Sequence, residues 1–77
     1  MANVKNLWCG VFNLKKQVMI EYVYAYSKRQ AWFTCCRRIA DKTGVHPSVV
    51  MREFDGSQDN FRIEIEAEFE ENDKLAP

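Results

Sequence analysis

Four glutamates, Glu64, Glu66, Glu68 and Glu70, alternate along one stretch of the chain, and Glu71 follows them. On an extended chain alternate side chains lie about 6.7 Å apart on one face, so the spacing predicts a line of carboxylates roughly 20 Å long. Such a row recognises basic surfaces by charge. Widened by Asp55, Asp59 and Asp73, it offers an imitation of nucleic acid to a basic groove, although duplex DNA is denser, with one charge per about 1.7 Å of axis. An evenly exposed row gives no carboxylate the apolar pocket that a general acid needs. The plainer role of such residues is to solubilise a strand and keep it from pairing edge to edge.

A second row is aromatic. Tyr22, Tyr24 and Tyr26 share a strand face with Val18 and Ile20, and Met19, Val23 and Ala25 take the other face. If a helix covers the smaller residues, the phenols stand on an open sheet face. There they can stack nucleobases, anchor a protein interface, or bury against a second copy of the chain. If the register is shifted by one residue, the tyrosines are core instead.

The third group is cationic. Lys28 and Arg29 begin a helical stretch, where the macrodipole disfavours cations but the exposed N–H groups favour an anion from a partner. Arg37 and Arg38 continue the patch. Catalytic chemistry has no comparable support. Cys35 and Cys36 are adjacent rather than spaced as a metal or redox pair, Cys9 stands apart, and the one histidine, His46, lies beyond the helix that carries the paired cysteines. No metal set and no Gly-rich phosphate loop is present, so no cofactor is expected. Reduced thiols of this kind fit a cytoplasmic protein.

The elements that must position these groups follow from periodicity and punctuation. Residues 4–14 and 17–26 read as strands of a hairpin joined at Lys15-Lys16, without the Asn-Gly chemistry that would fix its register. Ser27 and Gln30 form a capping box. Trp32, Cys35, Cys36, Ile39, Ala40 and Thr43 then recur with helical period, and Gly44 marks the stop. Pro47 suits the first turn of a short helix reaching about Phe54, although Val49 and Val50 also suit a strand. Asp55-Gly56-Ser57 is turn chemistry. In residues 60–71, Phe61, Ile63, Ile65, Ala67 and Phe69 alternate with charged residues, the signature of a half-buried strand. The expected fold is α+β: a three-stranded antiparallel sheet in ββααβ order, with one long and one short helix on one face. Its core is expected from Trp32, Cys36, Ile39 and Ala40 against Ile63, Ile65 and Phe69. Residues 1–71 would form one compact domain and residues 72–77 a flexible tail.

Residues 40–56 (ADKTGVHPSVVMREFDG) resemble the helix-turn-helix segment of bacterial repressors through Ala40, Gly44, Val45, Pro47-Ser48, Val50, Arg52, Phe54 and Gly56. That resemblance implies a second helix entering the major groove through His46, Ser48, Val49 and Arg52. In size, architecture and charge the whole chain also resembles the small anti-CRISPR and anti-restriction proteins of phages and mobile elements, which implies an inhibitor of nucleic-acid-handling machinery.

Seventy-seven residues, 47% hydrophobic and 29% charged, describe a single soluble domain with a thin core. No apolar run approaches the roughly 18 residues of a membrane span. The net charge of zero hides a split. Residues 1–52 carry nine Lys and Arg against Glu21 and Asp41, net +7, and residues 53–77 carry nine acids against Arg62 and Lys74, net −7. The leading expectation is a non-catalytic inhibitor or adaptor that docks its acidic sheet face on a basic nucleic-acid-binding protein. The alternatives are direct DNA or RNA binding through Lys28, Arg29, Arg37, Arg38, His46, Ser48 and Arg52, and a homo-oligomeric structural subunit.

Overall fold

The hairpin closes at two lysines. Strand β1 (Asn6–Leu14) pairs antiparallel with β2 (Gln17–Ala25), with Leu14 opposite Gln17. Lys15 and Lys16 both take positive φ, 50° and 70°. A two-residue turn between right-twisted strands requires that geometry, at about 1–2 kcal/mol for each non-glycine residue. The alternation of the strands therefore sets the register here, and the turn conforms to it. The computed structural model describes residues 4–67; the outer ends of the expected 1–71 domain, the 72–77 tail, Glu68, Phe69, Glu70 and Glu71 lie outside the described residues.

Helix α1 (Lys28–Thr43) begins as its sequence indicates. Ser27 Oγ accepts the Gln30 N–H at 3.2 Å. The reciprocal bond is displaced by one residue: Gln30 Oε1 accepts from Tyr26 N–H, at 2.6 Å, rather than from Ser27. Gly44 ends the helix at φ 77°, its N–H donating to the Ala40 carbonyl. Helix α2 (Pro47–Glu53) follows at once. Strand β3 (Phe61–Ala67) then pairs antiparallel with β1, giving sheet order β2-β1-β3. Both helices lie on the same side of this α+β fold, with α1 against the sheet and α2 against α1.

Period two divides the sheet. Trp8, Gly10 and Phe12 of β1, Met19, Glu21, Val23 and Ala25 of β2, and Phe61 and Ile63 of β3 face the helices. Ala31, Cys35, Cys36, Ile39 and Ala40 are the buried residues of α1. The helix is thus rotated slightly from the expected stripe. Ala31 goes fully inside, while Trp32 stays half-buried and donates its indole N–H to the Phe54 carbonyl at 2.8 Å. Ile63 is core as expected, but Ile65 is 39% exposed, because α1 packs chiefly against β2 and covers little of β3.

Two contacts fix where the helices sit. A Cβ on Gly10 would lie 2.7 Å from Phe12 Cε1 and 3.0 Å from Cys35 Sγ, so α1 crosses the central strand where that strand has no side chain. At the end of α2, Phe54 enters an aromatic cluster with Phe12 (centroids 4.9 Å, edge to face) and Phe61 (6.0 Å); Phe12 and Phe61 stack at 5.5 Å. Val50 and Phe54 are completely buried, and Ala40 nearly so. Several apolar residues of the helix-turn-helix-like segment thereby serve the packing of α2 on the core.

Gly10→Ala tests the crossing. Replacing a strand glycine gains about 0.5–1 kcal/mol of backbone entropy, whereas overpacking a close-packed core costs about 1–3 kcal/mol. A net loss is expected, seen as a melting midpoint lower by roughly 5–10 °C. In Gly10→Ala/Cys35→Ala the loss should be smaller than the sum of the two single losses, because removing Sγ relieves the contact of the new methyl with α1 and leaves only the one with Phe12.

Candidate interaction faces

The side of the sheet away from the helices is open, and two of the expected rows meet on it. Tyr22, Tyr24 and Tyr26 are 52%, 59% and 52% exposed, beside equally exposed Val18 and Ile20. Period two puts the phenols outward because Met19, Glu21, Val23 and Ala25 point to α1. Across the sheet, Tyr22, Cys9 and Glu64 stand in one row, and Ile20, Val11 and Arg62 in the next. Two strand spacings, about 9.6 Å, separate the tyrosine row from the β3 row. Lys5 rests over the Tyr26 ring at 5.4 Å.

Of the acidic row, Glu64 and Glu66 lie within the described residues. Glu64 and Glu66 are exposed, while Arg62 occupies the same row with its Nε 3.8 Å from Glu64 Oε2. Glu68, Glu70 and Glu71 lie outside the described residues. The register also shifts between Leu7 and Trp8, so β1 offers Glu66 no direct partner. Its carboxylate nevertheless acts across the sheet. The Tyr22 phenol is held above its ordinary pKa first by its hydrogen bond and charge interaction with the Cys9 thiol, then by Glu66. A phosphate approaching these rings would meet the same negative field.

The cations lie elsewhere. Lys28 and Arg29 border an open groove of ≈ 520 Å³ floored by Trp32, Phe54, Phe61 and Ile63. Arg37 lies over Phe33 at 5.8 Å on the solvent side of α1, and Arg52 is exposed on α2. Arg38 is committed to the fold, its guanidinium donating to the Tyr22 carbonyl at 2.8 Å. His46 and Ser48 engage each other: His46 Nδ1 accepts the Ser48 N–H at 3.1 Å and lies 2.9 Å from its hydroxyl, capping α2. Among the described residues the ion pairs are Lys42–Glu21 and Arg62–Glu64. Neither joins a cation of residues 4–52 to an acid of residues 53–67.

The unforeseen polar group is Glu21. It is only 4% exposed beneath α1, and Lys42 reaches its carboxylate at 2.6 Å. Its place in the alternation, between Met19 and Val23, is the signal that it points inward. Cys35 and Cys36 are fully buried. Burial pushes their thiols up to about 11 and about 12; Glu21 adds to the first shift and Cys35 to the second. Thiols held so far from ionisation are poor nucleophiles. Among the described residues no three His, Cys, Asp or Glu side chains gather to hold a metal ion, and no helix is long and apolar enough to cross a membrane. No protein-family model, no characterised protein sequence and no solved structure matches this chain.

The thiol shifts carry a pH signature. In the unfolded chain a thiol ionises near about 8.5, whereas Cys35 waits until about 11 and Cys36 until about 12. Their burial therefore stabilises the fold fully below the unfolded value, and the contribution falls as pH rises above it. The melting midpoint should drop between pH 8.5 and 10.5, and the drop should shrink in Cys36→Ala. In native protein a thiol reagent should modify Cys9 alone, with Cys35 and Cys36 reacting only after denaturation.

Proposed function

We propose that the protein is a small non-catalytic interaction module that docks on a basic, partly apolar protein surface through the open face of its sheet. The observation that carries this reading is the placement of three half-exposed tyrosines on the same face as Glu64 and Glu66, away from both helices. Tyrosine supplies large contact area at small entropic cost and is enriched among interface anchors. The glutamates add attraction for Lys and Arg, which also face the phenol rings favourably. A nucleic-acid-binding protein presents such cations, so the module acts as an inhibitor or adaptor of that machinery, its acidic edge standing in for phosphate.

Direct binding of DNA or RNA through Lys28, Arg29, Arg37 and Arg52 is the second reading, favoured by the exposure of these cations on the helix side. The two readings predict opposite mutational patterns. Affinity capture of the partner from the source cells, followed by titration, should show Tyr22→Ala or Tyr24→Ala weakening the complex roughly 30-fold, the effect of losing an interface anchor. Glu64→Gln/Glu66→Gln should slow association, and reversing Arg37 and Arg52 should leave the complex intact. Micromolar binding of random-sequence DNA or RNA by the wild-type chain in a gel shift, lost on reversal of Arg37 and Arg52, would overturn the docking reading.

A further inference from the structure

The sheet has two edges, and the fold treats them differently. On β2 the backbone groups of residues 18, 20, 22 and 24 point away from β1, since Leu14 and Gln17 close the hairpin as a hydrogen-bonded pair. Arg38 occupies this edge at its middle by donating to the Tyr22 carbonyl. On β3 the Asn13 N–H donates to the Asn60 carbonyl, and Phe12 stands opposite Phe61. That pairing turns the backbone of residues 62 and 64 toward β1 and the N–H and C=O groups of Phe61, Ile63 and Ile65 outward. β3 ends the sheet order, and an open groove of ≈ 390 Å³, bordered by Lys28, Gly56 and Gln58, runs beside it. Ile65, an exposed large aliphatic residue on the helix-facing side of this strand, borders the same edge.

We propose that β3 pairs antiparallel with β3 of a second copy, in a two-fold register centred on Ile63, to form a continuous six-stranded sheet. The strand is complementary to itself in that register and needs no other chain. The outward backbone groups of Phe61, Ile63 and Ile65 meet those of Ile65, Ile63 and Phe61 of the second copy, so all three positions form hydrogen-bonded pairs. On the open face Arg62 stands opposite the second copy's Glu64, twice by symmetry, and no like charges are directly opposed among these pairs. On the helix side Phe61 covers the second copy's Ile65. Moving the two-fold centre from Ile63 to Glu64 would place Glu64 opposite Glu64 and pair backbone groups already bonded to β1. Lys28 and Arg29, both exposed, border the groove beside Phe61 and Ile63 on the helix side of each copy. A strand pair of this length buries less than the roughly 1,200 Å² of a standard interface, so the dimer is weak and concentration-dependent. It joins Glu64 and Glu66 of two copies into one acidic band with a tyrosine row on each flank. The proposal concerns the sheet edge and is independent of the docking assigned to the sheet face.

Sedimentation equilibrium of the full chain from roughly 10 µM to 1 mM tests it. A reversible dimer is expected, weakened roughly tenfold or more by Arg62→Glu and by Glu64→Arg, and restored in the double reversal, which re-forms both cross-strand pairs. Amide exchange reads the register directly: the N–H groups of Phe61, Ile63 and Ile65 should gain protection as concentration rises, while those of Arg62 and Glu64 are protected at every concentration. A monomer throughout the range overturns the proposal. So does a dimer indifferent to both reversals, one that the double reversal fails to restore, or one abolished by Tyr22→Ser/Tyr24→Ser alone.

Discussion

The approach of Cys35 Sγ to the bare backbone of Gly10 decides what every other part of the molecule faces. Helix α1 can lie low on the central strand only where no side chain lifts it. Seated there, it covers Val23 and Ala25 on one flank and reaches Ile63 on the other. A thin core of this size depends on such a seat, since a helix raised by one methyl would lose dispersion contacts along its whole length. The choice of covered face also fixes the choice of open face. The tyrosines are outside because the glycine is beneath the helix.

Glu21 shows what that seat costs. A carboxylate falls on the covered face with the apolar residues of β2, and Lys42, about one turn beyond Arg38, reaches it. Lys42 keeps much of its side chain in water while Glu21 is almost wholly buried, so the pair straddles the boundary of the core. Breaking it would leave a buried charge without a counter-ion, a larger penalty than the net worth of the pair itself. Together Arg38 and Lys42 tie the later turns of α1 to β2, while Trp32 ties its beginning to the end of α2. Part of the basic character of α1 therefore serves the fold itself.

Local pattern made much of this readable in advance. The period of α1, the left-handed glycine at its end and the alternation in β3 each report a local constraint and place their elements within the described residues, while residues 47–53, whose pattern suits helix and strand alike, take the helix. What local pattern lacks is the identity of the neighbour. Ala31 outranks Trp32 as the buried residue because a low helix has room for a methyl where it meets the sheet, and only at its flank for an indole. Gly10 carries the general mark of a strand glycine, but its partner is 25 residues away. Glu21 is placed inward by period and outward by charge, and Lys42, 21 residues on, resolves the conflict. The candidate face was legible as two separate rows; that β1 lies between them, setting tyrosine and glutamate two strands apart, follows from the strand order. Arg62, counted with the charges of that strand, sits in the acidic row and pairs within it.

The strand order also sets a timetable. β1 is the first strand in the chain and the central one in the sheet, yet one of its neighbours is adjacent in sequence and the other arrives about fifty residues later. Hairpins close in about 1–10 µs, whereas pairing across a long intervening chain must first meet the entropy of closing that loop. During synthesis β1 and β2 can therefore join, and both helices can settle on them, while the other side of β1 still has open hydrogen-bonding positions. Until β3 emerges, that row of backbone groups borders Phe12 and Phe54, and any extended segment nearby can compete for it. The acidic composition of β3 and of the residues after it favours the correct partner during this interval, because the basic chain already made attracts that segment.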